Sequence, residues 1–143
     1  MPADSTPMME LFVNYIMLHG KKTTARRIFK DALGIIQQRG YKNTAETFER
    51  AVRNASPMLE VKAKRVGGSV YQIPIEVSPK RQLTISFRWI LGAAKSKKGS
   101  PLAKRLANEF IEACEGTGEA IKKKDDVFRM AQANKAFAHL ARY

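Results

Sequence analysis

The sequence VKAKRVGGSVYQIPIEV, residues 61–77, is the one stretch of the chain whose pattern is not helical. Its centre is Gly67-Gly68, a dipeptide that readily adopts the positive φ angles of a tight hairpin turn. From Tyr71 to Val77 every second residue is apolar or aromatic, which is typical of a strand that buries one face. Pro74 has no N–H and therefore fits only an edge strand. The stretch predicts a two-stranded β-ribbon that protrudes from the rest of the protein.

Helical periodicity surrounds this ribbon on both sides. Helix starts are indicated by Thr6-Pro7, by the capping-box pair Asn43 and Glu46, and by Ser78-Pro79. The predicted apolar stripes include Phe12, Phe29, Phe48, Phe87 and Phe110. At 143 residues, with 44% hydrophobic residues, the chain fits one domain with a substantial core. We expect a mainly α fold, a single domain over residues 1–143 with about six helices and a protruding two-stranded β-hairpin, at about residues 60–77, between the third and fourth helices.

The second half of the chain gives more specific expectations. We expect Lys95 to Ser100 to form a cationic loop, with Pro101 beginning the fifth helix. The acids Asp125 and Asp126 suit a helix N-terminus, and an apolar stripe that includes Met130 follows them. We expect Tyr71 to pack in the core at the root of the ribbon.

Charge is the outlying property of the composition. The chain has 26 Lys and Arg against 13 Asp and Glu, a formal net charge of +13. Between Val61 and Asn108 the only acid is Glu76, whereas the basic residues there are Lys62, Lys64, Arg65, Lys80, Arg81, Arg88, Lys95, Lys97, Lys98, Lys104 and Arg105. Such an excess opposes compaction by self-repulsion and favours a polyanionic partner.

The sequence contains few candidate residues for catalysis or metal binding. The two histidines, His19 and His139, lack a second ligand at metal spacing, so we expect no metal and no cofactor. Cys114 falls near an apolar stripe and is interpreted as a buried structural thiol. The segment Gly20 to Thr23 resembles the end of a phosphate loop but lacks its first glycine and its preceding strand. No stretch approaches the roughly 18 apolar residues of a membrane span, and nothing resembles a signal peptide, so we expect an intracellular or organellar protein with no membrane partner.

An isolated basic run is usually only a solvated face. Here the basic residues form four clusters in one small domain, around residues 21–27, in the ribbon, at 95–98 and at 122–124. This number favours nucleic-acid binding. No aromatic-rich sheet is predicted, so gripping phosphates and reading shape fits better than reading single bases.

Five blocks of sequence carry a resemblance to a known family. The string KAKRVGGSVYQIPIEV, Lys62 to Val77, closely resembles the β-ribbon of bacterial-type small-subunit ribosomal protein seven, the S-seven family. The other blocks are HGKKTTA at His19–Ala25, RWI at Arg88–Ile90, RLANE at Arg105–Glu109 and KKKDDVFRMAQANKAFAHL at Lys122–Leu140. The resemblance implies a helical domain with a protruding hairpin and no enzymatic activity.

The resemblance also implies partners and site residues. They are the small-subunit rRNA of the head, whose assembly the protein helps to nucleate, the exit-site tRNA and mRNA, and neighbouring head and platform proteins. The residues implied to bind rRNA are Lys21, Lys22, Arg26, Lys62, Lys64, Arg65, Arg81, Arg88, Lys95, Lys97 and Lys98. The residues implied to face the exit-site tRNA and the mRNA exit path are Gly67, Gly68, Arg129, Lys135 and Arg142.

The sequence departs from the family pattern at its two ends and at Phe128, and these differences bear on the cellular compartment of the protein. Bacterial members begin with an Arg- and Lys-rich arm, whereas this chain begins MPADSTP, which predicts that part of the rRNA grip is missing or that a basic extension precedes it. Phe128 stands where members usually have histidine, and the chain ends in LARY rather than in a tyrosine-arginine-tryptophan ending. We expect a small ribosomal subunit protein, with an organelle favoured over a bacterial cytoplasm. A free-standing nucleic-acid-binding regulator is the alternative, and an enzyme acting on nucleic acid is a more distant one.

Overall fold

The computed structural model describes residues 6–142, with side chains described for residues 6–140. This part of the chain forms, in order, α1 (Pro7–Ile16), α2 (Lys22–Gln38), α3 (Thr44–Ala55), β1 (Leu59–Val66), β2 (Ser69–Glu76), α4 (Pro79–Ser96), α5 (Leu102–Cys114), α6 (Glu119–Ala133) and a C-terminal 3₁₀ helix (Lys135–Arg142). The two strands pair with each other as an antiparallel hairpin. The predicted mainly α fold, with a hairpin between the third and fourth helices, is confirmed.

Side-chain caps fix three helix starts where the sequence predicts them. The Thr6 and Asn43 side chains accept hydrogen bonds from the backbone N–H groups of Met9 and Glu46, at 3.2 and 3.1 Å. Ser78 caps α4 in the same way, accepting from the N–H of Arg81. Each cap satisfies a donor that the first turn leaves without an intrahelical partner.

Two of the later boundaries were predicted wrongly. The fourth helix continues through Lys95 and Ser96, so only the remainder of the expected cationic loop is a loop. The sixth helix starts directly after Gly118 and not at Asp125-Asp126. The φ of 95° at Gly118 is not helical, so it separates α6 from the end of α5. Glu119 is the acid in its first turn, and Asp125 lies in its middle.

The ribbon has the turn that its two glycines predict. Gly67 and Gly68 have φ angles of 59° and 87°, the positive values that both central residues of a type I′ hairpin turn require. The register pairs Lys62 with Ile73 and Lys64 with Tyr71. The ribbon stands as a two-stranded sheet in which each strand is an edge, so Pro74 costs no ladder bond to a third strand.

The core is organised by phenylalanine rings, one from each of the first five helices. Phe12 of α1 lies at their centre, and its ring centroid is 5.0–5.7 Å from the other four rings. All five rings are buried: Phe12, Phe29, Phe48, Phe87 and Phe110. Tilted and edge-to-face pairs at this spacing add about 0.5–1.5 kcal/mol each beyond area burial. The short helix α1 is therefore held centrally by one ring.

The root of the ribbon packs on the end of the chain rather than in this core. Ile73 is fully buried but lies outside the main core cluster, and β2 contacts the C-terminal 3₁₀ helix. The Tyr71 ring is only half-buried and packs against Phe137, with ring centroids 5.1 Å apart. The expectation that Tyr71 joins the core was therefore wrong, because the C-terminal segment covers this face of the ribbon. Met130 was also misplaced, since it is 50% exposed while its neighbour Ala131 is buried.

Among the side chains that the structure describes, one charged group is buried. The Glu109 side chain on α5 is 1% exposed, and its Oε1 atom lies 2.5 Å from the Lys97 ammonium. Burial raises the pKa of the Glu109 carboxyl, and the ion pair with Lys97 opposes that rise. The hydrogen bond to Glu109 in turn raises the pKa of Lys97. The loop after α4 is thus tied to α5 by a charge pair with one buried partner.

Within residues 6–142, none of the helices is both long enough and apolar enough to cross a membrane.

Replacing Phe12 with alanine should destabilise the protein by about 4 kcal/mol, because it opens a cavity at the point where four other rings meet. The matched control is Leu11→Ala on the same helix, where a side chain that is 46% exposed is removed, which should cost less than about 1 kcal/mol. Urea unfolding followed by circular dichroism measures both free energies. Equal losses in the two variants would contradict the central position of Phe12.

Replacing Lys97 with methionine should cost about 2 kcal/mol, because the Glu109 carboxylate is left buried without a cation. This is below the range of about 3–5 kcal/mol for breaking a fully buried pair, since the Lys97 side chain is 40% exposed. Adding Glu109→Leu to Lys97→Met should recover most of the loss, and Lys98→Met in the same loop should leave stability within about 0.5 kcal/mol. A neutral Lys97→Met variant would show that the pair does not stabilise the fold.

Candidate nucleic-acid interface

The incoming strand of the ribbon presents its cations on both faces. Alternation along β1 puts Lys62 and Lys64 on one face and Arg65 on the other. Lys62 and Arg65 are exposed, whereas Lys64 is half-buried. The two lysines line a shallow groove of about 220 Å³ with Ile73 and other ribbon residues. The three cations were predicted to act together, but Lys62 and Lys64 lie on one face of the ribbon and Arg65 lies on the other.

The predicted flank of α4 lies along a second groove. Arg81 and Arg88, two turns apart, line an opening of about 330 Å³ between the ribbon, α4 and α6. Its apolar wall includes Trp89 and Met130. The Arg81 Nε atom donates to the Glu60 carboxylate at 2.6 Å, which joins α4 to β1 and raises the pKa of Arg81.

The start of α2 forms a separate cationic group. Lys21 is exposed, Lys22 is half-buried, and Arg26 lies 3.7 Å from the Glu10 carboxylate of α1. The helix begins without a side-chain cap and without an acid in its first turn. This group does not line the groove between the ribbon, α4 and α6.

Cations at the turn between α4 and α5 differ in their surroundings. Lys95 and Lys98 are exposed, whereas the Lys97 ammonium is paired with Glu109. Arg105, which the sequence assigns to the same basic face, turns inward. Its Nη1 atom donates to the carbonyl oxygens of Ala94 at 3.1 Å and Lys95 at 3.4 Å and to that of Lys97. Two cations of this region, Lys97 and Arg105, are thus engaged by other groups of the protein.

The Lys122–Lys124 cluster is divided in the same manner. Lys122 and Lys123 are exposed on α6, but the Lys124 ammonium donates to the carbonyl oxygen of Asn54 at 2.8 Å. The Asn54 side chain in turn donates to the backbone carbonyl oxygens of Ala113 and Cys114. Lys124 therefore joins α6 to the ends of α3 and α5.

The residues implied for the tRNA and mRNA side lie on the tip of the ribbon and on the C-terminal elements that pack against the ribbon. Gly67 and Gly68 form the exposed tip of the ribbon. Arg129 on α6 is exposed and paired with Asp126, and Lys135 is exposed at the first position of the 3₁₀ helix. Arg142 belongs to that helix, but its side chain lies outside the described ones.

The sequence did not identify the acids and apolar residues that complete these surfaces. Glu60 and Glu109 hold Arg81 and Lys97, and no spacing rule points to either pair, because the partners lie on different elements. Phe128 and Met130 are 47% and 50% exposed beside the cations of α6. The departure of Phe128 from the family pattern was the one signal in the sequence that this surface is unusual.

Other chemistry finds little support in the described residues. Cys114 is buried, and burial raises the pKa of its thiol, as expected of a structural cysteine. Within residues 6–142 no cluster of three or more His, Cys, Asp or Glu side chains could hold a metal ion.

Comparison with known proteins agrees with the resemblance read from the ribbon. Residues 2–135 match the family described as Ribosomal protein S7p/S5e. The chain is 46% identical to the "Small ribosomal subunit protein uS7" of Sulfurimonas denitrificans over 138 residues, covering 96% of this chain and 89% of that one. It is 48% identical to the proteins of the same name from Trichormus variabilis and Salinibacter ruber, covering 96% of this chain and 90% and 88% of theirs.

These relatives are mostly bacterial, so the expectation of an organellar ribosome is without support. The family has a structural role, and the protein is not an enzyme. Since the match extends over nearly the whole chain, the protein belongs to the ribosomal protein S7p/S5e family.

Proposed function

We propose that this protein is a structural component of the small ribosomal subunit that binds the rRNA of the head and helps to nucleate head assembly. The observation that carries the proposal is the near-full-length similarity to proteins named small ribosomal subunit protein uS7. The exposed cations on the ribbon, on α4 and at the start of α2 supply a physical mechanism for it.

The ribbon lysines are proposed to grip RNA phosphates. Lys62 and Lys64 share one face of the ribbon and line a groove whose other lining residues, Ala63, Ile73 and Ile75, are apolar. A phosphate held there would release condensed counterions, which gives binding its dependence on salt. Arg65, on the opposite face, would contact a different part of the backbone.

The groove beside α4 is proposed to receive a second stretch of the RNA backbone. Arg88 is exposed two turns after Arg81, so the two guanidinium groups can follow successive phosphates. The pair between Arg81 and Glu60 orients that guanidinium on the groove wall. The start of α2, with Lys21, Lys22 and Arg26, and the exposed Lys95 and Lys98 extend the proposed contact. Lys97 is left out because its ammonium pairs with Glu109.

The finer partners are also part of the proposal. The exposed Gly67-Gly68 tip has no side chains, which allows close approach to the backbone of the exit-site tRNA. Arg129, Lys135 and Arg142 are proposed to face tRNA or the mRNA exit path. The half-exposed Phe128 and Met130 form an apolar surface of the kind that protein neighbours cover, which fits contact with other ribosomal proteins of the head and platform.

Sedimentation tests the proposed function directly. A tagged form of the chain, expressed at native level, should co-migrate with the small ribosomal subunit on a sucrose gradient, including after a high-salt wash. Recovery only in ribosome-free fractions would overturn the proposal in favour of a free-standing nucleic-acid-binding regulator.

The ribbon contact gives a separate prediction. The double variant Lys62→Ala, Lys64→Ala should bind small-subunit rRNA more weakly. The slope of its plot of log K against log salt should be less steep by about 1.5, because each of the two lost phosphate contacts lowers the slope by about 0.7–0.9. The matched control is Lys30→Ala, Lys42→Ala, which removes two exposed charges outside the proposed contact and should leave the slope unchanged. Equal slopes for the ribbon variant and the wild type would show that this strand does not touch the RNA backbone.

A further inference from the structure

Two cations near the junction of α4 and α5, Lys97 and Arg105, are engaged by other groups of the protein. The Lys97 ammonium lies 2.5 Å from Glu109 Oε1 and 3.9 Å from Glu112 Oε2, both on α5. The Lys97 side chain is 40% exposed, but a phosphate would compete with these two carboxylates for its ammonium. A cation held in this way is poorly placed to contact RNA and well placed to hold the loop.

Arg105 holds the same loop from the other side. Its guanidinium reaches the carbonyl oxygens of Ala94, Lys95 and Lys97, at the point where α4 ends. The last carbonyl groups of a helix have no intrahelical partner, so this contact satisfies them and fixes the direction in which the chain leaves α4. Together Lys97, Arg105 and Glu109 connect the end of α4 to α5.

Between these contacts stand the exposed cations. Lys95 precedes Lys97 by two residues, and Lys98 follows it directly; both side chains are exposed to solvent. Flexible lysines lose side-chain and loop freedom when they bind, and a loop that is already ordered loses less. The internal contacts of Lys97 and Arg105 therefore affect how tightly the exposed Lys95 and Lys98 can bind.

We infer that Lys97, Arg105 and Glu109 form an internal clamp that orders the end of α4 and the turn after it before binding, so that Lys95 on the last turn of α4 and Lys98 in the turn meet RNA phosphates from fixed positions. In this assignment Lys97 and Arg105 are positioning residues, and the buried acid Glu109 promotes the binding of a polyanion. The inference rests on the proposed rRNA binding.

The variant Glu109→Leu tests the clamp, because the clamp and simple electrostatics predict opposite changes in RNA affinity for this variant. Removing an acid raises the net charge by one and releases the Lys97 ammonium, so electrostatics alone predicts tighter RNA binding and a steeper salt dependence. The clamp predicts binding about fivefold weaker, because the turn must be ordered on binding. The salt slope set by Lys95 and Lys98 should stay within about 0.3 of the wild-type value, less than one phosphate contact.

The experiment measures binding of the full chain to in-vitro-transcribed small-subunit rRNA over a series of salt concentrations, for the wild type, Glu109→Leu, Glu109→Gln and Lys98→Met. Lys98→Met should weaken binding and lower the slope by about 0.7–0.9, as the loss of one phosphate contact does. Hydrogen exchange of the amides at residues 96–100 should be faster in Glu109→Leu, while circular dichroism remains that of the wild type. Glu109→Gln, which keeps the shape of the side chain, serves if the leucine variant does not fold and should show the same direction of change.

Binding of both Glu109 variants as tight as or tighter than that of the wild type would overturn the clamp while leaving rRNA binding intact. Unchanged exchange at residues 96–100 would also overturn it. Absence of salt-dependent binding by the wild type itself would instead overturn the proposed function.

Discussion

The contact of Phe12 with four other phenylalanine rings is the interaction on which the rest of the structure depends. The rings come from each of the first five helices, and their centroids lie 5.0–5.7 Å from that of Phe12. A chain with a net charge of +13 repels itself, so its fold needs a core that is strong and central. With the helices packed around one ring, their outer faces and the ribbon between α3 and α4 are held in fixed relative positions.

Within this frame, acidic side chains engage several of the cations and join the elements that carry them. Glu109 engages Lys97, Glu60 engages Arg81, and Glu10 lies beside Arg26. Backbone carbonyl groups at helix ends engage Arg105 and Lys124 in the same way. The few acids and open helix ends of this basic chain thus join its elements together. Lys97, Arg105 and Lys124 are assigned to holding the fold, whereas Arg26 and Arg81 remain 43% and 53% exposed beside their acids and stay in the proposed RNA contact.

Much of the fold could be predicted from local signals. The Thr6, Asn43 and Ser78 caps and the Gly67-Gly68 turn involve residues within a few positions of one another, and all were confirmed. The apolar stripes correctly predicted that each of the five phenylalanines is buried, although nothing in the sequence shows that the five rings meet at one point. The sixth helix was started too late because Asp125-Asp126 has the composition of a helix start, whereas the actual break is the positive φ of Gly118.

The candidate site was less predictable than the fold. In sequence, Lys97 and Lys98 are equivalent basic residues of one run, and only the packing of α5 beside the turn distinguishes them. Tyr71 likewise has a strand position that suits the core, but Phe137, far along the chain, covers it instead. Long-range pairs of this kind leave no periodic signal, and they determine which side chains reach a partner.

The most direct test of this account is a cryo-electron microscopy map of a small ribosomal subunit that contains this chain. The account predicts rRNA phosphates within hydrogen-bonding distance of Lys62 and along Arg88 of α4, with Lys97 still paired to Glu109. A map with solvent along the ribbon and α4, and with the rRNA against another face of the helices, would contradict it.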